Sequence, residues 1–259
     1  FTNNGSSITI FADPATGLQP AIVPALGGAG AVLAIANELV HVSGIRVSPT
    51  VAIEYGIYVS SPNVTISSVS VLDSMFMISS AGIATSSWTT ISFTSVSVSE
   101  SGAAAIWLRG STMTIVSYST AANNSSGRAA LFLDGASSNT ITGMTATNAA
   151  GACAAARIYN GSYNTISQSS FTASAGGCYG LRLYVSSFNA VSGTYISAPN
   201  GTGAEFLQSN SNSISQSTVT SNLTAMAALT MTGSAFNAVS GSYLSNPSGI
   251  SLRLGAGAA

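Results

Sequence analysis

One pattern recurs through this sequence, in Asn139-Thr-Ile-Thr-Gly, Asn164-Thr-Ile-Ser-Gln, Asn189-Ala-Val-Ser-Gly, Asn212-Ser-Ile-Ser-Gln and Asn237-Ala-Val-Ser-Gly. The spacings between these asparagines are 25, 25, 23 and 25 residues. A fixed period in this range is typical of repeat architectures. We extend the register backwards through Met113, Thr89, Asn63 and Asn37, which gives about nine turns averaging 25 residues.

Apolar positions inside each repeat predict the local structure. A branched aliphatic follows the asparagine column two or three residues later, as in Ile141, Ile166 and Val191. Apolar and polar residues alternate around it, which favours short strands with one buried face. Since one such coil cannot bury its apolar face alone, the coils must stack on one another. The sequence therefore predicts an all-β parallel solenoid.

The asparagine column has a structural interpretation in such a solenoid. Asparagines stacked at one corner can hydrogen-bond to each other or to turn backbone groups, and asparagine tolerates left-handed backbone. The alternative is that they are ordinary surface turn residues. The predicted ladder contains Asn37, Asn63, Asn139, Asn164, Asn189, Asn212 and Asn237.

The repeats resemble the right-handed parallel β-helix coils of the pectate-lyase-like superfamily, over roughly residues 31–254. The resemblance implies a single-stranded right-handed parallel β-helix of about nine coils. Residues 1–30 do not repeat and are expected to form an N-terminal cap segment, and residues 255–259 a C-terminal tail. The superfamily includes polysaccharide lyases, tailspikes, adhesins and non-enzymatic surface proteins, so it predicts fold more strongly than function. We place this chain with the non-enzymatic surface type.

Composition excludes several functions. Charged residues make up 5% of the chain, and six arginines face seven acids, for a net charge of −1. A general nucleic-acid binder needs a basic stripe to neutralise phosphates. The longest apolar run, 21–36, is shorter than the ~20 residues of a spanning helix and contains proline and glycine. We therefore expect neither a nucleic-acid partner nor a membrane span.

The sequence contains few candidate catalytic residues. No two acids share a column in adjacent coils, and the single histidine, His41, is more typical of a structural residue. Calcium prefers about 6–8 oxygen ligands, usually with several carboxylates. We therefore expect no catalytic residues, no metal and no cofactor.

One stretch of sheet gathers most of the arginines beside aromatic residues. With the aliphatic positions turned inward, the outward positions form a candidate surface for binding or subunit contact: Trp107, Arg109, Phe132, Asp134, Arg157, Tyr159, Arg182, Tyr184 and Glu205. Counting from Met113 instead turns Trp107 inward. Such a surface suits a sugar or another subunit. Alternatively, Arg157–Asp134 and Arg182–Glu205 only neutralise each other across coils.

Cysteines and sequons point to an extracellular location. Cys153 and Cys178 are one coil apart, which favours a disulfide; the alternative is a buried pair of thiols. Candidate N-glycosylation sites are Asn4, Asn123, Asn124, Asn160, Asn200 and Asn222.

Our leading functional hypothesis is a secreted or cell-surface structural solenoid. The short tail offers no cover for the last coil, and an uncovered strand edge favours pairing with another chain. Copies of the same chain are therefore the expected partners, assembled end to end into an extracellular filament or coat. The second hypothesis is a glycan-binding adhesin or tailspike-like module, and the third a polysaccharide lyase or hydrolase.

Overall fold

A computed structural model describes residues 7–12, 19–24, 28–100, 102–124, 126–150 and 154–258. These residues contain thirty β-strands and no helix. None of them therefore belongs to a helix that could cross a membrane. Every third strand belongs to the same sheet, so the chain visits three ten-stranded sheets in turn. Neighbouring strands of each sheet are parallel, and the chain winds about nine times around a common axis, which confirms the predicted β-solenoid.

The strands of the three sheets are numbered in chain order. The first sheet contains β1 (Ile8–Phe11), β4 (Val40–Ser43), β7 (Val64–Ser67), β10 (Thr89–Ser92), β13 (Ile115–Ser117), β16 (Thr140–Thr142), β19 (Thr165–Ser167), β22 (Ala190–Ser192), β25 (Ser213–Ser215) and β28 (Ala238–Ser240). The second contains β2 (Ala21–Ile22), β5 (Arg46–Val47), β8 (Ser70–Leu72), β11 (Ser95–Val98), β14 (Thr120–Asn123), β17 (Thr145–Asn148), β20 (Ser170–Ala173), β23 (Tyr195–Ala198), β26 (Thr218–Ser221) and β29 (Tyr243–Ser245). The third contains β3 (Gly28–Ile35), β6 (Ile53–Val59), β9 (Ile78–Thr85), β12 (Ala104–Arg109), β15 (Leu131–Asp134), β18 (Ala154–Tyr159), β21 (Tyr179–Tyr184), β24 (Thr202–Leu207), β27 (Ala227–Thr232) and β30 (Ile250–Leu254).

The strands β1 and β2 lie within the segment expected to cap the solenoid. β1 pairs in parallel with β4, and β2 pairs with β5. The described parts of this segment therefore continue the sheets themselves. The stretch Asp13-Pro-Ala-Thr-Gly, on which the cap prediction partly rests, lies outside the described residues.

The interior is packed by matching large and small residues between the second and third sheets. At four places where the second sheet presents a β-branched residue inward, the third sheet opposes it with glycine. A β-carbon on that glycine would collide with the branched side chain in four pairs, Gly56–Val71, Gly82–Val96, Gly180–Ile196 and Gly203–Val219. One coil after Gly82 and Val96, the register places Ala105 and Ala121 at the corresponding positions. The second pair has one side-chain carbon fewer in total, but it keeps a small residue opposite a small or medium one, a change that packed cores tolerate.

The asparagine ladder runs along one corner of this core. Asn139 donates from Nδ2 to Asn164 Oδ1 at 2.9 Å, and Asn164 donates in the same way to Asn189 at 3.0 Å. The series continues from Asn189 to Asn212 and from Asn212 to Asn237, at 3.0 and 3.2 Å. Each Oδ1 also accepts the backbone N–H of the preceding asparagine. The ladder therefore satisfies backbone groups that the corner would otherwise bury without partners.

Asn63 and Asn37 were wrongly predicted to join this ladder. The strand register aligns the ladder column with Thr114, Thr89 and Val64, not with Met113 and Asn63. Asn63 is the residue before the column, where it is exposed with a φ of 56°. Asn37 lies three residues before Val40, the equivalent of Val64 one coil earlier. The sequence contains a sign of this error, because Asn63 and Thr89 are 26 residues apart. Counting back the usual period of 25 residues from Thr89 reaches Val64.

Left-handed backbone marks the position before the ladder. Eight residues there have φ between 55° and 59°: Leu39, Asn63, Met113, Ser138, Tyr163, Phe188, Ser211 and Phe236. The rings of Tyr163 and Phe188 stack with centroids 5.1 Å apart. The chain thus turns at this corner through a left-handed backbone conformation, which is costly for most residues. The buried ladder beside the turn holds the backbone in this conformation.

Candidate functional site

Charged side chains are segregated onto the third sheet. Its strands contain Glu54, Arg109, Asp134, Arg157, Arg182, Glu205 and Arg253. The described strands of the first sheet contain no arginine, aspartate or glutamate, and those of the second contain Arg46 alone. The first two sheets present mainly serine and threonine to solvent. Among the strands, charged side chains are therefore concentrated on the third sheet, while Glu38, Asp73, Glu100 and Arg128 lie in the turns.

Two columns of side chains form the candidate site. The central column consists of Trp107, Phe132, Arg157, Arg182 and Glu205, which pair one to the next in register. The flanking column, two residues further along each strand, consists of Arg109, Asp134, Tyr159 and Tyr184. Since neighbouring strands are about 4.8 Å apart, each residue in a column lies next to the residue of the following coil. We call the two columns together the aromatic–arginine face. The structure thus brings together all nine residues of the predicted surface.

The aromatic end of this face is more buried than its position outside the solenoid suggests. Trp107 is 6% exposed and Phe132 8%, and their ring centroids are 6.0 Å apart. Both belong to a second apolar cluster, distinct from the interior, with alanines such as Ala104 and Ala129. The guanidinium of Arg128 lies 4.1 Å from the Trp107 ring centroid. Trp107 therefore points outward as predicted, but a loop arginine that the sequence did not indicate covers it.

The arginine end contains an ion pair. Arg182 Nε donates to Glu205 Oε2 at 2.6 Å, which is the cross-coil pair expected from the sequence. The Arg182 guanidinium also lies 4.8 Å from the centroid of Tyr179, a ring that sequence reasoning missed. Tyr179 lies three residues before Arg182 and packs against the outer apolar cluster. Arg182 is thus held by a carboxylate and by a ring.

Arg157 has a different environment. Its guanidinium lies 5.6 Å from the Phe132 ring centroid and 5.3 Å from that of Tyr159. The expected ion pair with Asp134 does not form among the described residues. The register is the reason, because it sets Phe132 beside Arg157 and sets Asp134 beside Arg109 and Tyr159. Arg157 is left with aromatic neighbours rather than a carboxylate.

Burial shifts the protonation of two groups on the face. Desolvation, and then the charge of Arg182, lower the pKa of Arg157. Desolvation, and then the charge of Glu205, raise the pKa of Tyr179. Both shifts disfavour added charge in a partly dry environment. Burial and the neighbouring arginine therefore disfavour the cation at Arg157, and Tyr159, Asp134 and Tyr184 offset part of this effect.

Two hydrogen-bond donors on the face have no acceptor. Among the described residues, the buried side-chain atoms without a hydrogen-bond partner are Trp107 Nε1, Arg157 Nε and Ser111 Oγ. The first two are N–H groups in the central column, and buried polar groups are nearly always paired. Both atoms are shielded from solvent, and the Arg128 guanidinium covers the Trp107 ring, so a ligand would reach them only after neighbouring side chains move.

Metal binding and acid–base pairing find little support on this face. The described residues hold no group of three or more His, Cys, Asp or Glu side chains arranged for a metal ion. Asp134 and Glu205 lie on strands three steps apart, β15 and β24, a separation of roughly 14 Å. The carboxyl pairs of glycosidases are about 5–9.5 Å apart. The geometry of these two acids suits binding better than glycoside hydrolysis.

The other predicted sites are scattered. Asn123 was wrongly predicted as a glycosylation site, because it is buried and its Nδ2 donates to Ala103 O and Arg128 O, both at 2.8 Å. The sequons at Asn124, Asn160, Asn200 and Asn222 are exposed and stay predictions. Asn4 lies outside the described residues.

The predicted disulfide also stays a prediction. Cys153 lies outside the described residues. Cys178 is buried, and its Sγ lies 3.5 Å from Ala150 O.

Comparison with known proteins places this parallel solenoid in a class. The family model described as "Right handed beta helix region" matches residues 79–244. The chain belongs to this family, and its coil is right-handed. No curated protein sequence matches the chain.

Several solved structures share the fold. Full-length tailspike protein 2 from Escherichia coli O157:H7 bacteriophage CAB120 matches with a TM-score of 0.68 and 12% identity, over 90% of this chain and 34% of that chain. The enzymatically active domain of bacteriophage CBA120 tailspike protein 2 matches with 0.63 and 11%, over 90% and 38%. The Dettilon tailspike protein matches with 0.56 and 12%, over 89% and 48%. The chain thus spans between a third and a half of these tailspike chains, and at such identities the likeness concerns the fold.

Proposed function

We propose that the chain is a glycan-binding solenoid, a tailspike-like module whose aromatic–arginine face holds a saccharide chain outside the cell. One observation carries the proposal. Aromatic rings and guanidinium groups are aligned in register on a single face of a molecule that is otherwise nearly uncharged. The shared fold of the tailspikes supports it.

The chemistry of the face suits a sugar. Tyrosine and tryptophan present an apolar ring with a polar edge, which matches the apolar C–H faces and hydroxyl edges of a pyranose. Arginine offers several N–H donors in a fixed planar arrangement. Tyr159 and Tyr184 stack with centroids 5.4 Å apart, and Arg157 and Arg182 lie beside them at 5.3 and 5.6 Å. Because these stacked side chains already hold one another in place, few of them need to become ordered when a ligand binds.

A glycan array tests the proposal with an internal control. The double variant Tyr159→Ala/Tyr184→Ala removes a stacked pair from the face and should abolish the glycan signal. The control Phe93→Ala/Tyr118→Ala removes an exposed pair with the same centroid separation of 5.4 Å from a different corner. The control should bind like the unmodified protein. Equal binding by both double variants, or no glycan bound by the unmodified protein, would refute the proposed function.

Self-assembly is a second candidate function. Large apolar side chains are exposed away from the aromatic–arginine face, including Tyr163, Phe188 and Phe236, the last 82% exposed. Exposed apolar patches often mark protein contacts, and a filament or coat on the cell surface would bury them. Electron microscopy and analytical ultracentrifugation test this hypothesis. Replacing Phe188 and Phe236 with serine, the residue present at Ser138 and Ser211 in the same column, should disperse any assembly.

A further inference from the structure

The first sheet presents two columns of side chains to solvent. One column, set by the strand register, contains only hydroxyl residues: Ser43, Ser67, Ser92, Ser117, Thr142, Ser167, Ser192, Ser215 and Ser240. The other lies two residues earlier on each strand from β7 to β28, and most of its side chains carry a methyl group: Thr65, Thr90, Ile115, Thr140, Thr165, Ala190, Ser213 and Ala238. We call the two columns together the hydroxyl surface.

The side chains of the hydroxyl surface repeat regularly in two directions. Neighbouring strands of a sheet are about 4.8 Å apart, and residues two apart along a strand are separated by roughly 6.6 Å. The strands from β7 to β28 pair without a register shift. Both spacings are therefore kept along the whole surface.

The hydroxyl groups of this surface are available to water. Within the part of the chain that the structure describes, the only side-chain hydrogen bond to protein that they make runs from Ser167 Oγ to Thr142 Oγ1, at 3.1 Å. Every residue of the two columns is at least partly exposed. Each hydroxyl can both donate a hydrogen bond and accept one, so the surface can hold a row of water molecules along each coil.

The chemistry of the hydroxyl surface differs from that of the aromatic–arginine face. Every residue of the first-sheet strands β7 to β28 is described, and none of them is charged or aromatic. Protein interfaces are enriched in aromatic residues and arginine, and rings also suit the apolar faces of sugars. The hydroxyl surface offers an uncharged pattern instead, in which hydroxyls bond to water and methyl groups restrict the water beside them. Such a pattern complements a ligand that is itself a regular lattice of water molecules.

We propose that the hydroxyl surface binds ice. The oxygen atoms of hexagonal ice repeat at intervals close to the two spacings of this surface, so water held by the columns can occupy positions of the crystal. The bound protein then blocks the growth of ice at that place. The inference concerns a different sheet from the aromatic–arginine face and does not depend on the proposed function.

An ice-recrystallisation assay, together with thermal hysteresis measured on single ice crystals, tests the inference. The unmodified protein should keep ice grains small and lower the freezing point below the melting point. Thr140→Tyr/Thr165→Tyr places two rings on the hydroxyl surface and should abolish both effects, because the rings hold ice away from the neighbouring side chains. The control Thr145→Tyr/Ser170→Tyr makes a similar change on the second sheet, in the same two coils and in a column that already contains Tyr195. Tyrosine suits strand positions, and circular dichroism verifies that both variants fold.

A charged substitution gives a second test. Ile115→Lys adds one positive charge to the middle of the hydroxyl surface and should also weaken ice binding, because an ammonium group orders water differently from ice. Its control, Thr120→Lys, adds the same charge to an exposed position of β14 on the second sheet and should behave like the unmodified protein. Absence of any effect of the unmodified protein on ice would overturn the inference. Equal ice activity in the surface variants and their controls would overturn it as well.

Discussion

The asparagine ladder allows one prediction to be worked out from individual hydrogen bonds. The side chain of Asn164 donates to Ala136 O and Asn189 Oδ1, and accepts from the N–H and Nδ2 of Asn139. The replacement Asn164→Ala removes all four bonds. The described contacts then leave Asn139 N–H and Ala136 O without partners in a buried corner.

The magnitude follows from these two groups. A buried polar group without a partner costs roughly 1–3 kcal/mol, so Asn164→Ala should lower the free energy of unfolding by roughly 2–6 kcal/mol. Asn164→Thr should cost less, because threonine already stands in this column. The Thr114 Oγ1 accepts the N–H of Thr89 at 3.3 Å, so a threonine hydroxyl replaces the acceptor for one of the two groups.

Urea unfolding followed by circular dichroism measures the effect through the midpoint and slope. The control is Asn222→Ala, at an exposed asparagine with one side-chain bond, from Ser248 Oγ at 2.9 Å. A change within about 0.5 kcal/mol is expected for such a surface site. The reasoning is refuted if Asn164→Ala is no more destabilising than this control, or if threonine is as damaging as alanine.

Three further predictions address the core, the face and the cysteines. Gly82→Ala should destabilise the protein by about 1–3 kcal/mol through overpacking, and adding Val96→Ala should restore part of the loss; simple additivity in the double-mutant cycle would contradict the packing argument. Because burial and Glu205 raise the pKa of Tyr179, the native state holds that proton more tightly than the unfolded chain, and stability should fall as pH rises above about 10. Spectrophotometric titration of Tyr179→Phe should accordingly lose a phenol that ionises late; loss of one that ionises in the ordinary range would contradict the shift. If Cys153 and Cys178 are bridged, alkylation of the unfolded, unreduced protein should add no mass, and two labels would disprove the bridge.

The sequence was sufficient to predict the fold because every coil of a solenoid repeats the same pattern of residues. Each coil places an aliphatic residue over the one before it, so the period of 25 residues recovers the stacking directly. The error at Asn63 has a physical origin. Residue identity suggested the ladder, but a left-handed turn residue and a ladder residue are adjacent and both suit asparagine. Only the strand register separates them.

The residues of the aromatic–arginine face could be predicted from the sequence, but their burial and their contacts could not. Alternation along the strands identified the nine outward positions. The burial of Trp107 depends on Arg128, which lies in a loop that breaks the alternation. The pairing of Arg182 with Glu205, and the absence of a pair at Arg157, depend on which residues the register sets side by side. Such contacts cannot be derived from periodicity.

The stacking that makes the core regular also explains why the aromatic–arginine face is confined to a few coils. Any outward position repeats once per coil, so a column can change its chemistry without disturbing the aliphatic column inside it. The central column changes from tryptophan and phenylalanine to two arginines and a glutamate within five coils. Over the same coils, the inward neighbours Ile106, Leu131, Ala156, Leu181 and Ala204 stay apolar and buried. The interior of the solenoid therefore depends on one side of these strands, and the proposed recognition on the other.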